Sequence, residues 1–157
     1  MKIVVFGGGG FLGSYVVNEL IKRGHEVTVA DLKQQTKEVA FKRCDVANEK
    51  DVESIFAETY DVVYNFAGFS SLDLASQFPK KVLELNVMGN INILDQIKDK
   101  PLKRFVFASS AYAMSKKGTF YGISKLTSEK IIEEYAKITK MPFTILRYGS
   151  VYSERNF

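Results

Sequence analysis

The stretch SSAYAMSKKGTFYGISK, residues 109–125, places a hydroxyl (Ser110), a phenol (Tyr121) and an ammonium (Lys125) within one short span. Three such groups, brought together, could move a proton. Tyr121 and Lys125 are four residues apart, so on a helix their side chains stack on one face. The same Tyr-x-x-x-Lys spacing also arises as an ordinary surface pair, and the motif alone leaves both readings open.

The elements that must position these groups are legible as short apolar runs alternating with longer segments of helical period. The runs are KIVVFG, then FLGSYVVNELIKRG; EVTVAD; VAFKRC, then NEKDVESIFAETY; DVVYNFAG, then PKKVLELNVMGNINILDQIKD; RFVFASS, then YGISKLTSEKIIEEYAKIT; and FTILRYG. Strands separated mostly by helices predict an α/β fold built on a doubly wound parallel sheet, the Rossmann fold. Right-handed crossovers make 3-2-1-4-5-6 the default strand order. IVVF, FVF and VVY lack polar alternation, as strands covered on both faces should. Gly24 follows Lys22 and Arg23 as a helix stop, Pro79 suits a first helical turn, and Pro101 and Pro142 fall between a helix and a strand. With no repeat, linker or low-complexity tract, residues 1–157 read as one domain.

Composition narrows the function classes. A 157-residue chain with 46% hydrophobic and 25% charged residues can build a sizeable core. The single cysteine, Cys44, cannot form an internal disulfide, and the lone His25 has no metal-spaced companions, so a reducing cytoplasm without a structural metal is expected. The apolar run of MKIVVFGGGG is too short for a leader or a membrane span, and no membrane partner is expected. A net charge of +4, spread along the chain, gives no block suited to nucleic acid and fits anionic small molecules, phosphates above all.

A phosphate site is spelled out early. Gly7, Gly10 and Gly13 form Gly-x-x-Gly-x-x-Gly after the strand KIVVF, with Phe11 and Leu12 opening a helical segment. Bare backbone there permits a tight turn and close approach of a pyrophosphate to the positive end of the helix. Asp31 ends the second strand beside Leu32, where its carboxylate can accept both ribose hydroxyls of an adenosine and repel a 2′-phosphate. NAD is therefore favoured over NADP; Lys33 close by tempers that preference, and a plain turn role for Asp31 is the alternative. Asp45 could meet the adenine amino group while Val46 packs on the ring, or Asp45 could serve as a cap or turn residue. Phe66, Ala67 and Gly68 close the fourth strand, the last two with small side chains that let a cofactor cross the carboxyl ends of the sheet.

With these residues in place the chain resembles the extended short-chain dehydrogenase/reductase family, the NAD-dependent epimerase/dehydratases of nucleotide sugars. The resemblance rests on GGGGFLG, KRGHEVTVAD, CDV, NFAG, NVMGNINIL, FVFASSA, YGISK and LRYGSVY, in that order. It implies that Tyr121 is the acid/base, its phenol drawn from about 10 toward neutrality by the Lys125 ammonium and a positive nicotinamide. It further implies that Lys125 holds the nicotinamide ribose, that Ser110 orients the reacting hydroxyl, and that Tyr148, Gly149 and Val151 lie beside the nicotinamide amide. Hydride would pass from a nucleotide-diphosphate sugar to the nicotinamide and return to the opposite face, giving an epimer. Asn86, in the Asn-Val-x-Gly motif, is read as structural.

Two departures from the family pattern bear on substrate. Ala111 and Tyr112 stand where the family's dehydratases place acidic residues, which favours an epimerase or reductase over a 4,6-dehydratase-type lyase. Ala113, Met114 and Ser115 replace the family's usual Val-Tyr-Gly, and Tyr121 follows only eleven residues after Ser110. Ser150 occupies a position where asparagine is more usual. Lys116 and Lys117 either meet a nucleotide diphosphate or are simply solvated.

Residues 79–98 carry apolar side chains over more than one stripe, which predicts either a homodimer contact through helices 79–98 and 121–139 or a helix enclosed in its own domain. The chain stops at RYGSVYSERNF, after the sixth strand, where the family continues into a smaller substrate domain. The expectation is a cofactor-binding portion that lacks most of that domain, binds NAD and turns over little alone. An NAD-binding regulatory module without turnover and a ligand-free structural subunit are the alternatives.

Overall fold

The apolar runs without alternation form strands covered from both sides. In the computed structural model, which describes residues 1–34 and 38–153, β1 (Lys2–Phe6), β2 (Glu26–Asp31), β3 (Ala40–Arg43), β4 (Val62–Asn65), β5 (Arg104–Ser110) and β6 (Phe143–Tyr148) make one sheet. Its order is 3-2-1-4-5-6 and every pairing is parallel, as the sequence predicts. Residues 154–157 of the stretch at the chain's end lie outside the described residues.

Side-chain alternation divides the core between the two faces. Val4 and Phe6 face one way, with Phe105 and Phe107, under Val52, Ile93, Leu94 and Ile132 from α2 (Glu49–Ile55), α5 (Gly89–Ile97) and α6 (Thr119–Thr139). Ile3 and Val5 face the other way, with Val27 and Val29, under Val17 and Leu20 of α1 (Phe11–Lys22). Each fully buried phenylalanine contributes about 2–3 kcal/mol of transfer free energy. The carboxyl ends of the strands line up along one edge: Phe6 is level with Ala30 and Asn65, and Ser110 with Tyr148.

Helix ends follow their local signals. Gly24 stands at φ +76°, its amide donating to Ile21 O while the His25 amide donates to Leu20 O, a Schellman stop after the last turn of α1. The Asn48 side chain accepts from the amides of Lys50 and Asp51 and starts α2.

Three features differ from the sequence reading. A short helix, α3 (Leu72–Ala75), starts at Ser71, whose hydroxyl accepts from the Leu74 amide. The helix expected over 79–98 is α4 (Pro79–Leu83), a π-helical turn at Glu84–Met88, and α5 in continuous succession. Helix α6 begins two residues before Tyr121, because Gly118 and Gly122 let its first turn press on a 3-10 turn at Ala111–Met114.

Candidate functional site

The glycine loop closes on the carboxyl edge of the sheet with backbone against backbone at Gly7 and Gly13. Gly7 stands at φ +71°, and a Cβ there would lie 2.5 Å from the Ala67 amide nitrogen. At Gly13 a Cβ would lie 2.1 Å from the Gly7 carbonyl oxygen, so that glycine sets how closely α1 packs on β1. Gly10 differs, because its Cβ direction meets only the Gly7 oxygen at 3.3 Å. It is the N-cap of α1 without a side-chain cap, and the first turn holds no acidic residue. A helix start so arranged presents its positive end with no carboxylate of its own to neutralise it, as an anion site requires.

Asp31 is joined to that loop. Its Oδ2 accepts from the Gly9 amide at 3.0 Å and its Oδ1 from the Leu32 amide at 2.7 Å. Each carboxylate oxygen keeps a further lone pair, so the group braces the loop with acceptor capacity to spare. Leu32 itself is exposed. Asp45 accepts from the Ala47 amide at 3.0 Å, an Asx turn, and so takes the turn role rather than the capping role, which falls to Asn48. Val46 is buried, its Cγ2 2.9 Å from where a Gly89 Cβ would stand. It belongs to the core cluster on that face, and its packing there is against α5.

Ser110, Tyr121 and Lys125 come together across the gap between β5 and α6. Ser110, the last residue of β5, is buried, accepts from the Tyr112 amide at 3.2 Å and lies near enough to the Tyr121 phenol to favour its ionised form. The Tyr112 carbonyl oxygen would lie 2.6 Å from a Cβ at Gly118 and 2.5 Å from one at Gly122, so the bare backbone of those two glycines carries α6 up against the turn that follows Ser110. Lys125 is buried, donates to Ala108 O at 2.8 Å, and sits 4.9 Å from the centre of the Phe107 ring and 5.8 Å from that of Tyr121.

The electrostatics correct one expectation. Burial raises the Tyr121 phenol above its ordinary value, and the Ser110 hydroxyl only partly opposes it. The Lys125 ammonium does not draw the phenol toward neutrality here, because it points at the Ala108 carbonyl and lies over the tyrosine ring. Burial lowers Lys125 itself to about 8, against the opposing pull of Glu129.

The remaining expected residues lie at the carboxyl ends of the strands or in the segments that follow them. The half-buried ring of Phe66 stacks on Tyr64 at 6.1 Å and meets Tyr148 at 6.3 Å. Ala67 receives support from Asn65, whose Oδ1 accepts from its amide at 3.1 Å, and Gly68 adopts φ +151° with Asn86 Oδ1 2.4 Å from where its Cβ would stand. Phe11 and Leu12 are half-buried at the start of α1. Tyr148 is level with Ser110, while Gly149 and Val151 are exposed beyond β6. Cys44 is buried and pushed up to about 12, first by burial and then by nearby carboxylates, and is an inert core thiol.

Sequence reasoning missed the polar frame behind these groups. Asn86, inside the π-helical turn, accepts from the Phe69 amide at 2.6 Å and donates to the Phe69 carbonyl at 3.1 Å and to Ser124 Oγ at 2.8 Å. Ser124 in turn donates to Tyr121 O at 2.7 Å, and Ser128 to Asn86 O at 2.7 Å. The loop after β4 is thus tied to the turn that carries Tyr121, in keeping with a structural role for Asn86. The signal available in the sequence was three polar residues, Ser124, Ser128 and Glu129, on the inward face of an otherwise amphipathic helix.

A parallel sheet of this order, with a glycine loop and an acidic strand end at its carboxyl edge, defines a dinucleotide-binding domain. Residues 3–157 match the NAD dependent epimerase/dehydratase family, and the chain belongs to it. Among curated relatives it is 33% identical to a UDP-glucose 4-epimerase of Lactobacillus helveticus, the match covering 96% of this chain and 52% of that protein. Among solved structures it is similar to the Thermus thermophilus UDP-glucose 4-epimerase in complex with NAD, at TM-score 0.90 and 29% identity, covering 100% of this chain and 58% of that one. The Thermotoga maritima UDP-glucose 4-epimerase with UDP-glucose gives TM-score 0.86 at 28% identity, covering 97% of this chain and 56% of the other. The chain spans about half the length of the relatives it matches.

Proposed function

We propose that this chain is the cofactor-binding part of an NAD-dependent epimerase acting on a nucleotide-diphosphate sugar, a UDP sugar first of all. The observation that carries this reading is the convergence of the glycine loop, Asp31 and the Ser110–Tyr121–Lys125 group on one edge of the sheet. The residues fit a dinucleotide. The uncapped start of α1 at Gly10 suits its phosphates, the free lone pairs of Asp31 its adenosine ribose, and Lys125 its nicotinamide ribose. NAD, when bound, supplies a ring that takes hydride from the sugar and gives it back.

The chain's own residues do the rest. Ser110 orients the reacting hydroxyl, and Tyr121 takes its proton once ionised. Ionisation needs positive charge beyond what the structure already provides, since burial favours the neutral phenol. A bound oxidised nicotinamide would add that charge. The exposed Ala111 and Tyr112, in the turn after Ser110, offer no carboxylate to assist elimination, which favours epimerisation over dehydration.

Calorimetry with NAD and incubation with UDP-glucose and UDP-galactose test the proposal. NAD should bind, and its binding should lower the midpoint of the Tyr121 titration, followed by phenolate absorbance against Tyr121→Phe. A Tyr121 midpoint indifferent to saturating NAD would mean that the phenol does not face the ring. No heat of NAD binding would remove the reading altogether.

A further inference from the structure

One buried carboxylate stands behind the site and has no part in the steps above. Glu129 lies two helical turns beyond Tyr121 and one beyond Lys125 on the same side of α6, and its side chain is 1% exposed. Burying a carboxylate is costly unless it is paired and hydrogen-bonded. Glu129 is both. Ser109 donates to its Oε1 at 2.5 Å, and Arg147 forks onto it through Nε at 2.9 Å and Nη2 at 2.6 Å. Burial pushes this carboxyl up, but the Arg147 and Ser109 hydrogen bonds outweigh it and hold Glu129 below the ordinary range, so it is charged at neutral pH.

The strand register shows what this charge holds. Ser109 is level with Arg147, and the next rung pairs Ser110 with Tyr148. Lys125 grips Ala108 O, one residue earlier on β5. Consecutive residues of β5 are thus pinned to α6 from below, and Ser110 follows directly. We propose that Glu129 is a positioning residue of this site: its carboxylate locks α6 to the β5 and β6 rung beneath Ser110 and Tyr148 and serves as the counter-charge of the Lys125 ammonium. The inference rests on the reading of Lys125 as a cofactor-holding group.

Among the described residues, Glu129 is the charged group that acts on Lys125. On α6 the titratable neighbours are Tyr121, over whose ring the ammonium sits, and Glu129. β5 offers the Ala108 carbonyl and the Phe107 ring. Arg147 of β6 is committed to Glu129. Glu129 is the group whose charge favours protonated Lys125 against its burial.

The test follows the Lys125 titration directly, by NMR of the whole chain labelled with carbon-13 at the lysine Cε and assigned with Lys125→Met. Glu129→Gln keeps the shape and removes the charge, and should lower the Lys125 midpoint by about one pH unit or more. Arg147→Met, at a half-exposed position, removes the competing cation and should raise it, which keeps the inference testable if Glu129→Gln does not fold. In Glu129→Gln, NAD affinity at pH 7.5 should fall about threefold as the charged fraction of Lys125 drops, and should recover at pH 6. Unmoved midpoints in both variants, or an affinity loss that persists at pH 6, would overturn the positioning role. A wild-type chain that fails to bind NAD would sink the proposed function instead, while the Lys125 midpoints would still judge Glu129.

Discussion

Lys125 shows how far a single side chain can be pulled from its ordinary behaviour by burial. Its folded value of about 8 lies below the unfolded value of 10.5. Between those values the unfolded chain binds more protons than the folded one, so this group makes stability rise with pH from about 8 to 10.5, and below 8 its burial cost is felt in full. A depression of that size is worth on the order of 3 kcal/mol at neutral pH. Lys125→Met should therefore raise the melting temperature at pH 7, with the gain shrinking toward pH 10, while NAD affinity falls. A variant that is less stable at pH 7 would show that the Ala108 and Phe107 contacts outweigh the desolvation. Asp31 carries a second prediction at this scale. Asp31→Ala should weaken NAD binding and erase the preference over NADP, and it should also loosen the loop at Gly9, whose amide it holds at 3.0 Å. An NAD preference unchanged in the variant would place discrimination elsewhere.

Among the elements, the glycine loop separates packing from binding. Gly13 and Gly10 belong to one motif, yet a methyl group meets backbone at 2.1 Å in the first and only at 3.3 Å in the second. Gly13→Ala should cost about 3 kcal/mol or more, because the Gly7 carbonyl must move and takes the loop with it. Gly10 has φ −74° and ψ 176°, ordinary extended backbone, so Gly10→Ala should cost less than about 1 kcal/mol of stability. Its effect should fall on NAD affinity, because the added methyl narrows the open start of α1. Chemical denaturation and calorimetry on the two variants separate the effects, and equal losses of stability would contradict the close-packing account. The π-helical turn at Glu84–Met88 is the other element with a clear purpose, since it places Asn86 against Phe69 and Ser124 together.

At the scale of the molecule, the helices over residues 79–97 and α6 present two kinds of apolar residue. Val82, Ile93, Leu94 and Ile97 are buried within the domain, whereas Leu83, Met88, Ile123 and Ile138 are exposed. The enclosed reading of the long helix holds for one stripe, which packs within its own domain, and the rest is surface. We propose that this surface pairs two copies of the chain. Light scattering should give a dimer, and Met88→Asp combined with Ile123→Glu should give a monomer with unchanged helix content; a monomeric wild type would end the proposal. Among the described residues no helix is long and apolar enough to cross a membrane.

Strand order, the parallel sheet, the glycine loop and the pairing of Tyr121 with Lys125 were all present in the residue pattern. Each depends on local periodicity, on the special backbone freedom of glycine, or on spacing along one helix, which a linear chain displays directly. The charge state of Tyr121 and Lys125 was not, because desolvation and the direction of an ammonium depend on what surrounds it in space. Nor was the Glu129–Arg147–Ser109 lock, whose members come from β5, α6 and β6 and share no local motif. The sequence by itself determined which groups could meet at the carboxyl edge; only the tertiary structure decided which are charged there, since burial and long-range partners are properties of the packed chain.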